Sequence, residues 1–285
     1  MTNTKKNRQL NVVSDEYLEE LENFVYDSYI KPCFPQEYDG KWEILLTIRY
    51  DPKLSKVAPT SYDSVSMDNF WLLDEHYQRL VFTFEFFKIQ FDLTLDFEVN
   101  KDFLFGKLME ALKDSQKSVT NCYKFRLLVK LDGDFVVQIH DIDPVDNLLS
   151  GFSDDLPPTY NVYIDKEPTM ISPFTSFKTT NRSHYTESRA RALPATPGKH
   201  EVLIYNPQLD VMEGSITNIA VRRKSDNKWI TPSLNSGCLC GVTRHFLLRK
   251  NFLEEEKIAL QDLQKNQEVL LFNGIIGVVK GTIVS

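Results

Sequence analysis

Lys178 is the residue of this chain whose surroundings best suit covalent chemistry. It lies in the segment FTSFKTTNR (174–182), with aromatic side chains before it and small hydroxyl side chains on both sides. Most lysines are solvated surface groups, and that is the alternative interpretation. A lysine amine in an apolar pocket, however, loses basicity because burial disfavours its charged form. Such an amine can form a Schiff base with a carbonyl and then act as a base.

An acidic residue, Glu213, lies in the segment MEGSITN (212–218), shortly before the strand predicted over 217–222. Glu213 is either an exposed acid at a strand end or the buried partner of a protonated ring nitrogen. In the second case the carboxylate would keep a pyridine ring protonated, so that the ring accepts electrons from a substrate carbon. Lys178 and Glu213 together therefore point to pyridoxal phosphate and to chemistry at an amine-bearing carbon.

The sequence also supplies groups that could bind the phosphate of such a cofactor. A helix predicted over 242–250 begins within GCLCGVTR (237–244), so the backbone N–H groups of Val242 and Thr243 have no acceptor inside the helix. The N-terminus of a helix also carries a partial positive charge. These two features favour an anion at this position.

Two further segments could complete the phosphate site. The backbone of Ile216 and Thr217, after a Gly-Ser turn, could provide a second set of N–H donors. Arg79, on a helix predicted to begin near Asp74, could add a positive charge. The alternative for Arg79 is a surface ion pair with Glu75 on the same helix.

The composition excludes several other classes of function. Of the 285 residues, 33 are Lys or Arg and 40 are Asp or Glu, which gives a net charge of −7. This balance argues against nucleic acid or an anionic membrane as the main partner. No apolar stretch is long enough to span a membrane, and the N-terminus lacks the apolar core of a secretory signal. The four cysteines and five histidines show no metal-site spacing, so we expect reduced thiols, no metal and a cytoplasmic location.

The first half of the chain predicts a small α/β domain over residues 14–150, after a disordered tail over 1–13. A helix is predicted over 15–29, a second from Asp74 and a third around Leu104, Leu108 and Leu112. Strands are predicted over 42–50, 123–131 and 135–142, the last two joined by the Asp132-Gly133 turn.

The second half predicts a larger, strand-rich domain over residues 159–285. The preceding segment 151–158 is rich in proline and acidic residues and is the best candidate for a linker. Helices are predicted over 184–193 and 242–250. Short strands are predicted over 160–165, 201–205, 217–222, 228–231, 268–272 and 275–284. The predicted fold class is α+β.

Five segments give the chain a resemblance to a known family. They are DEHYQRL (74–80), FKTTNR (177–182), MEGSITNIAV (212–221), GCLCGVTR (237–244) and EVLLFNG (268–274). In type and order they resemble the fold-type IV pyridoxal-phosphate enzymes, which include branched-chain and D-amino-acid aminotransferases. FWLLDEHYQRL (70–80), FTSFKTTNRSHY (174–185) and GCLCG (237–241) are similar to the fungal aminodeoxychorismate lyases in particular. Most class-IV relatives have proline where this chain has Cys240, whereas the fungal lyases share the difference.

The resemblance implies a fold and a set of residue roles. It makes Lys178 the Schiff-base lysine, Glu213 the partner of the pyridinium nitrogen and Arg79 a phosphate ligand. It implies phosphate contacts from Ile216, Thr217, Val242 and Thr243. The implied fold is a small α/β domain followed by a larger barrel-like domain, with the cofactor in the cleft between them and a homodimeric assembly.

The resemblance also implies an activity, the conversion of aminodeoxychorismate to 4-aminobenzoate and pyruvate in folate synthesis. A branched-chain or D-amino-acid aminotransferase is the alternative on the same fold. The lyase substrate carries two carboxylates. On the 42–50 strand, Thr47 and Arg49 share one face and could both point into a site, although Arg49 could equally form an ion pair at the core edge. Arg182 and Arg126 are further candidates.

Overall fold

A computed structural model describes residues 33–34, 37–94 and 99–284. The disorder predicted over 1–13 and the helix predicted over 15–29 lie outside these residues. Within them, no helix is both long enough and apolar enough to cross a membrane.

A small antiparallel sheet forms in the first half of the described chain. Its strands, in spatial order, are β1 (Ile44–Tyr50), β2 (Tyr123–Val129) and β3 (Phe135–Asp141). The predicted hairpin between β2 and β3 is confirmed, and Gly133 in its turn has a φ of +96°, a conformation that favours glycine. The register places Arg49 opposite Lys124 and Thr47 opposite Arg126. Directly opposed residues of an antiparallel pair share a face, so these four side chains lie on one face of the sheet.

The other face of the small sheet is covered by the helices α1 (Leu73–Gln90) and α2 (Lys101–Asp114). The two predicted helices are confirmed, and an apolar stripe of each is buried in the core beneath the sheet, with Leu80 and Phe87 on α1 and Leu104 on α2. Packing of this stripe fixes the rotation of α1 about its axis. Residues on its flank, including Arg79, are consequently directed away from this core.

The second half of the described chain forms a curled sheet of eight strands in the order β6-β5-β4-β11-β10-β7-β8-β9. The strands are β4 (Tyr160–Ile164), β5 (His200–Tyr205), β6 (Val211–Gly214), β7 (Asn218–Arg222), β8 (Trp229–Pro232), β9 (Glu254–Glu256), β10 (Glu268–Asn273) and β11 (Gly277–Ile283). Six of them were predicted. β6 and β9 were not, since one is four residues long and the other is three consecutive glutamates.

The curl of this sheet brings two strands together that are distant in the sheet order. β6 and β7 follow each other in the chain, yet four other strands lie between them in the sheet. The backbone N–H of Gly214 donates to the carbonyl of Thr217 at 2.8 Å, which closes the turn between them. The sheet is therefore a half-barrel, as the predicted fold class required.

Three helices of the second half are described; the first contributes Phe174 to the core of the small sheet, and the other two pack against the half-barrel. The three helices are α3 (Pro173–Ser176), α4 (Ser183–Ala192) and α5 (Val242–Arg249). The last two match predicted helices, and Asn251 beyond α5 has a φ of +58°, consistent with the predicted stop.

The predicted linker is partly packed against the larger sheet. Gly151 is buried, and a Cβ built at this position would lie 2.9 Å from the backbone of Val278. Residues 154–159 are exposed. The proposed domain boundary over 151–158 stays a prediction.

Candidate active site

A cavity of about 260 Å³ lies between the small sheet and the half-barrel. The N-terminal half contributes β1, β2 and α1 to its wall, and the larger half contributes the α3–α4 segment, the β6–β7 turn and the start of α5. Its lining includes polar and ionisable side chains that could take part in binding or catalysis: Thr47, His76, Arg79, Lys124, Lys178, Arg182, Tyr185, Glu213 and Asn218. Elements from both halves therefore build one site.

Lys178 is positioned by contacts to both halves of the molecule. It follows the short helix α3, which is capped by the side chain of Ser172. Its backbone carbonyl accepts a hydrogen bond from the N–H of Leu45 on β1 at 2.9 Å, and Thr179 forms a β-bridge with Ile44. The lysine thus extends from a segment clamped on the small sheet into the cavity.

The environment of Lys178 favours a neutral amine. Burial lowers the pKa of Lys178 to about 7, and the positive charges of Arg79 and Arg182 act in the same direction. The carboxylate of Glu213 opposes this shift. An amine with this pKa is available as a nucleophile and as a base near neutral pH.

Glu213 lies on β6 and lines the same cavity, and its side chain is buried. The hydroxyl of Tyr185 on α4 donates to Oε1 at 2.5 Å, and the side-chain amide of Asn218 donates to Oε2 at 3.0 Å. Burial raises the pKa of Glu213 to about 7, while the bond from Tyr185 opposes the rise. These two partners hold the carboxyl in one orientation, ready for a cationic ring nitrogen.

Arg79 faces the cavity without an ion-pair partner among the described residues. Glu75, the alternative partner on the same helix, instead pairs with Arg249 of α5 at 2.5 Å. Nη2 of Arg79 is buried and lacks a hydrogen-bond acceptor in the described structure. Burial lowers the pKa of Arg79 to about 10, so that it remains a cation at neutral pH. A buried guanidinium nitrogen without an acceptor is costly, which indicates an anionic ligand.

Three of the four predicted phosphate-binding residues line the same cavity as Arg79. Val242 and Thr243 form the first turn of α5, with Gly241 as the N-cap, and Val242 lines the cavity. The hydroxyl of Thr243 is buried and has no hydrogen-bond partner among the described residues. Ile216 and Thr217 form the β6–β7 turn and also line the cavity. Two of the predicted donors of this turn, the N–H of Ile216 and the hydroxyl of Thr217, instead donate to Glu201, at 3.3 and 2.8 Å.

The candidate substrate ligands separate into two groups. Thr47 and Arg182 line the cavity, and Arg182 also donates to the carbonyl of Ser215 at 3.0 Å. Arg49 adopts the second of its two predicted roles. It is 1% exposed, pairs with Asp51 at 2.9 Å and is not among the described residues that line the cavity. Arg126 donates to Gln138 and likewise lies outside the described lining.

Four residues of the site were not predicted from the sequence: Tyr185 and Asn218, which hold Glu213, and Lys124 and His76. Lys124 on β2 lines the cavity, and its side chain forms no ion pair or hydrogen bond within the described chain. The alternating pattern of YKFRLLV predicts which side chains share a face of the sheet with Lys124. Only the pairing of this strand with β1 shows that this face borders the cavity. His76 is buried on α1 with both ring nitrogens unpaired among the described residues, and burial holds its pKa well below the usual range.

These groups fit pyridoxal phosphate. The cavity joins a neutral lysine amine, an oriented buried carboxyl and an unpaired arginine beside a helix N-terminus. Those are the partners required by an aldehyde, a ring nitrogen and a phosphate. The unpaired buried atoms of Arg79 and Thr243 are the observation that supports the phosphate end.

The fold and the site together define a class-IV aminotransferase. Residues 64–283 match the family described as amino-transferase class IV, and the chain belongs to this family. It is 35% identical over 263 residues to the aminodeoxychorismate lyase of Saccharomyces cerevisiae, covering 77% of this chain and 69% of that relative.

Two further comparisons agree with this membership. A candidate aminodeoxychorismate lyase of Schizosaccharomyces pombe is 33% identical over 189 residues, which cover 65% of this chain and 74% of that protein. A solved structure of a candidate amino-acid aminotransferase from Mesorhizobium loti superposes with a TM-score of 0.65 at 22% identity, covering 86% of this chain and all of that one. The superposition establishes the fold alone.

Proposed function

We propose that this protein is a pyridoxal-phosphate-dependent aminodeoxychorismate lyase, which converts 4-amino-4-deoxychorismate to 4-aminobenzoate and pyruvate in folate synthesis. The observation that carries the proposal is Lys178 in one cavity with Glu213 and the unpaired Arg79, in a chain 35% identical to the yeast lyase. The products contain all the atoms of the substrate. The reaction therefore needs neither a second substrate nor water.

In this proposal each end of the cofactor has its own residues. Lys178 binds the aldehyde carbon, Glu213 binds the ring nitrogen, and Arg79 with the first turn of α5 and the β6–β7 turn binds the phosphate. When bound, the cofactor withdraws electrons from the amine-bearing carbon of the substrate. Tyr185 and Asn218 hold the Glu213 carboxyl by hydrogen bonds at 2.5 and 3.0 Å, so that its charge stays at the ring nitrogen.

Lys178 moves the proton in the reaction. Its amine, with a pKa near 7, removes the proton from the carbon that bears the substrate nitrogen. The electrons of that bond lead to cleavage of the bond to the enolpyruvyl oxygen, and the six-membered ring becomes aromatic. The same amine can return the proton to the departing three-carbon group, which leaves as pyruvate. Thr47 lines the same cavity and can donate a hydrogen bond to the substrate.

The two substrate carboxylates need cationic partners. After Arg79 is assigned to the phosphate, the remaining cations of the described cavity wall, apart from Lys178, are Lys124 and Arg182. Lys124 is the stronger candidate because Arg182 already donates to Ser215 and lies over the ring of Tyr185. The proposal also includes a cytoplasmic location and a homodimeric assembly.

An aminotransferase with the same fold differs from the lyase in that it needs a keto acid as its second substrate. The test uses cofactor-loaded protein and enzymatically generated aminodeoxychorismate without any keto acid. Equimolar 4-aminobenzoate and pyruvate would support the lyase. Conversion of the cofactor to its amine form by leucine or D-alanine, with no 4-aminobenzoate formed, would support the aminotransferase instead.

A further inference from the structure

Glu201 is a buried carboxylate that the proposed reaction does not use. It lies on β5, is 0% exposed and is not among the described residues that line the active-site cavity. Its side chain contacts the turn 214–217, which connects β6 to β7 and does line the cavity. The turn thus separates this carboxylate from the cofactor site.

One oxygen of the carboxylate binds the start of the turn. Oε1 accepts hydrogen bonds from the backbone N–H of Ser215 at 3.0 Å and from its hydroxyl at 2.5 Å. The N–H of Val202 donates to the same oxygen at 2.8 Å, and the guanidinium of Arg189 lies 3.4 Å away. Arg189 also donates to the Ser215 hydroxyl at 2.7 Å, so its position is tied to the same residue.

The other oxygen binds the two residues predicted to contact the phosphate. Oε2 accepts hydrogen bonds from the N–H of Ile216 at 3.3 Å and from the hydroxyl of Thr217 at 2.8 Å. Three successive residues of the turn therefore donate to one carboxylate. Such a number of donors offsets the cost of burying its charge and fixes the turn from the side opposite the cavity.

Gly214 shows how closely the turn packs on this group. A Cβ at Gly214 would lie 2.8 Å from Cδ of Glu201 and 2.4 Å from Oγ1 of Thr217. No side chain fits there without moving one of them. Glycine at this position is consequently required for the turn to approach the carboxylate.

We propose that Glu201 is a positioning residue for the phosphate end of the cofactor site. Its hydrogen bonds occupy the Ile216 N–H and the Thr217 hydroxyl and order the turn before the cofactor arrives, which leaves the backbone N–H of Thr217 to contact the phosphate. Preorganisation of this kind increases affinity because less conformational freedom is lost on binding. The inference rests on the proposed pyridoxal-phosphate cofactor, and it predicts that Glu201 affects the phosphate contact selectively.

The test compares two ligands that differ only in the phosphate. Glu201→Gln keeps the volume of the side chain but replaces one acceptor oxygen by an amide N–H₂ group, which cannot accept hydrogen bonds from the turn. Apoprotein is titrated with pyridoxal phosphate and with pyridoxal, and the dissociation constants are measured by fluorescence or absorbance. We expect the affinity for pyridoxal phosphate to fall about 10–100-fold, as for other residues that orient a ligand-binding group. The affinity for pyridoxal should change by less than about twofold, because pyridoxal makes no phosphate contact.

Asp165→Asn is the matched control. Asp165 is also a buried carboxylate beside the half-barrel, where it binds Ser188 and Arg191 rather than the turn. This variant should lower the melting temperature and leave the ratio of the two dissociation constants unchanged.

Each outcome decides a separate question. Equal losses for both ligands, or no loss for either, in Glu201→Gln would overturn the positioning role. Failure of the unsubstituted protein to bind pyridoxal phosphate would instead overturn the cofactor proposal. If Glu201→Gln does not fold, Ser215→Ala replaces it as the test variant. This change removes the hydrogen bond of 2.5 Å from the Ser215 hydroxyl to Glu201. A phosphate-selective loss in Ser215→Ala supports the role, and any other result contradicts it.

Discussion

At the scale of single residues, the site depends on two buried titratable groups of opposite type. Lys178 is shifted towards a neutral amine and Glu213 towards a neutral carboxyl, in both cases chiefly by burial. If both side chains are neutral before the cofactor binds, the empty cavity avoids the cost of burying two separated charges. Binding of a protonated ring nitrogen would then stabilise the ionised form of Glu213.

Replacement of Lys178 tests its covalent role. Lys178→Ala should abolish lyase activity and covalent attachment of pyridoxal phosphate, measured by borohydride trapping and mass spectrometry. Lys166→Ala, an exposed lysine on the same half of the molecule, is the control and should retain both. Lyase activity in Lys178→Ala with bound cofactor would contradict the mechanism.

The pH dependence of cofactor attachment follows from the lowered pKa of Lys178. An amine reacts in its neutral form, and the pKa falls from 10.5 to about 7 in the folded protein. The attachment rate at Lys178 should therefore rise up to about pH 7 and level off above it. An ordinary lysine would continue to gain about tenfold in rate per pH unit up to about pH 10. The trapped fraction at Lys178, followed by peptide mapping across pH, distinguishes the two profiles.

Lys124 is predicted to bind a carboxylate of the substrate. Lys124→Met removes an unpaired cation from the cavity wall, so it should raise KM for aminodeoxychorismate about tenfold or more, with kcat changed far less. Arg126→Met on the same strand face is the control, because Arg126 binds Gln138 outside the described cavity lining. Lys124→Arg should restore most of the affinity. Equal KM values in Lys124→Met and in the unsubstituted protein would remove Lys124 from the substrate site.

The sequence allowed Lys178, Glu213 and Arg79 to be predicted because each lies in a distinctive short segment. Arg49 could not be assigned by the same reasoning. Strand alternation places it on the same face as Thr47, but a buried pair with Asp51 two residues later holds it in the core. Lys124 lies in a segment without a motif, and His76 lies within DEHYQRL (74–80) but has no predicted role there; the three-dimensional packing brings both side chains to the cavity.

At the scale of elements, the start of α5 and the β6–β7 turn have to meet closely. A Cβ at Gly241, the N-cap of α5, would lie 1.9 Å from Oδ1 of Asn218. Asn218 donates both to Glu213 and to the carbonyl of Leu239, each at 3.0 Å. The glycine therefore allows one amide to connect the ring-nitrogen end of the site with the phosphate end.

Gly241→Ala should displace Asn218 and weaken the binding of pyridoxal phosphate, by about tenfold or more. Gly106→Ala is the matched control on α2, where nothing among the described residues lies within 4 Å of the added Cβ. In a helix interior that change should stabilise the fold by about 0.5–1 kcal/mol. Cofactor titration and thermal melting of the two variants measure these effects. Unchanged affinity in Gly241→Ala would show that the contact does not organise the site.

Element prediction was accurate where hydrophobic periodicity was strong and failed where it was absent. The buried stripes of α1 and α2 and the hairpin turn at Gly133 are encoded locally. β9 consists of three glutamates that pair with β8 and bind Arg223 and Lys228, so tertiary contacts override their low strand propensity.

At the scale of the whole molecule, the site exists only because two halves meet. Segments as far apart as Thr47 and Asn273 line one cavity. The sequence indicated the order of these segments through the family resemblance. The resemblance also implied a barrel-like domain, but the sequence did not indicate that β6 lies beside β7, because that contact depends on the packing of all the intervening strands.

The most direct measurement of the central claim is a stoichiometric assay. Purified, cofactor-loaded protein is mixed with aminodeoxychorismate and no keto acid, and 4-aminobenzoate fluorescence and pyruvate are followed together. Both products should appear in equal amounts over many turnovers. Protein that carries the cofactor but forms neither product would contradict the proposed lyase.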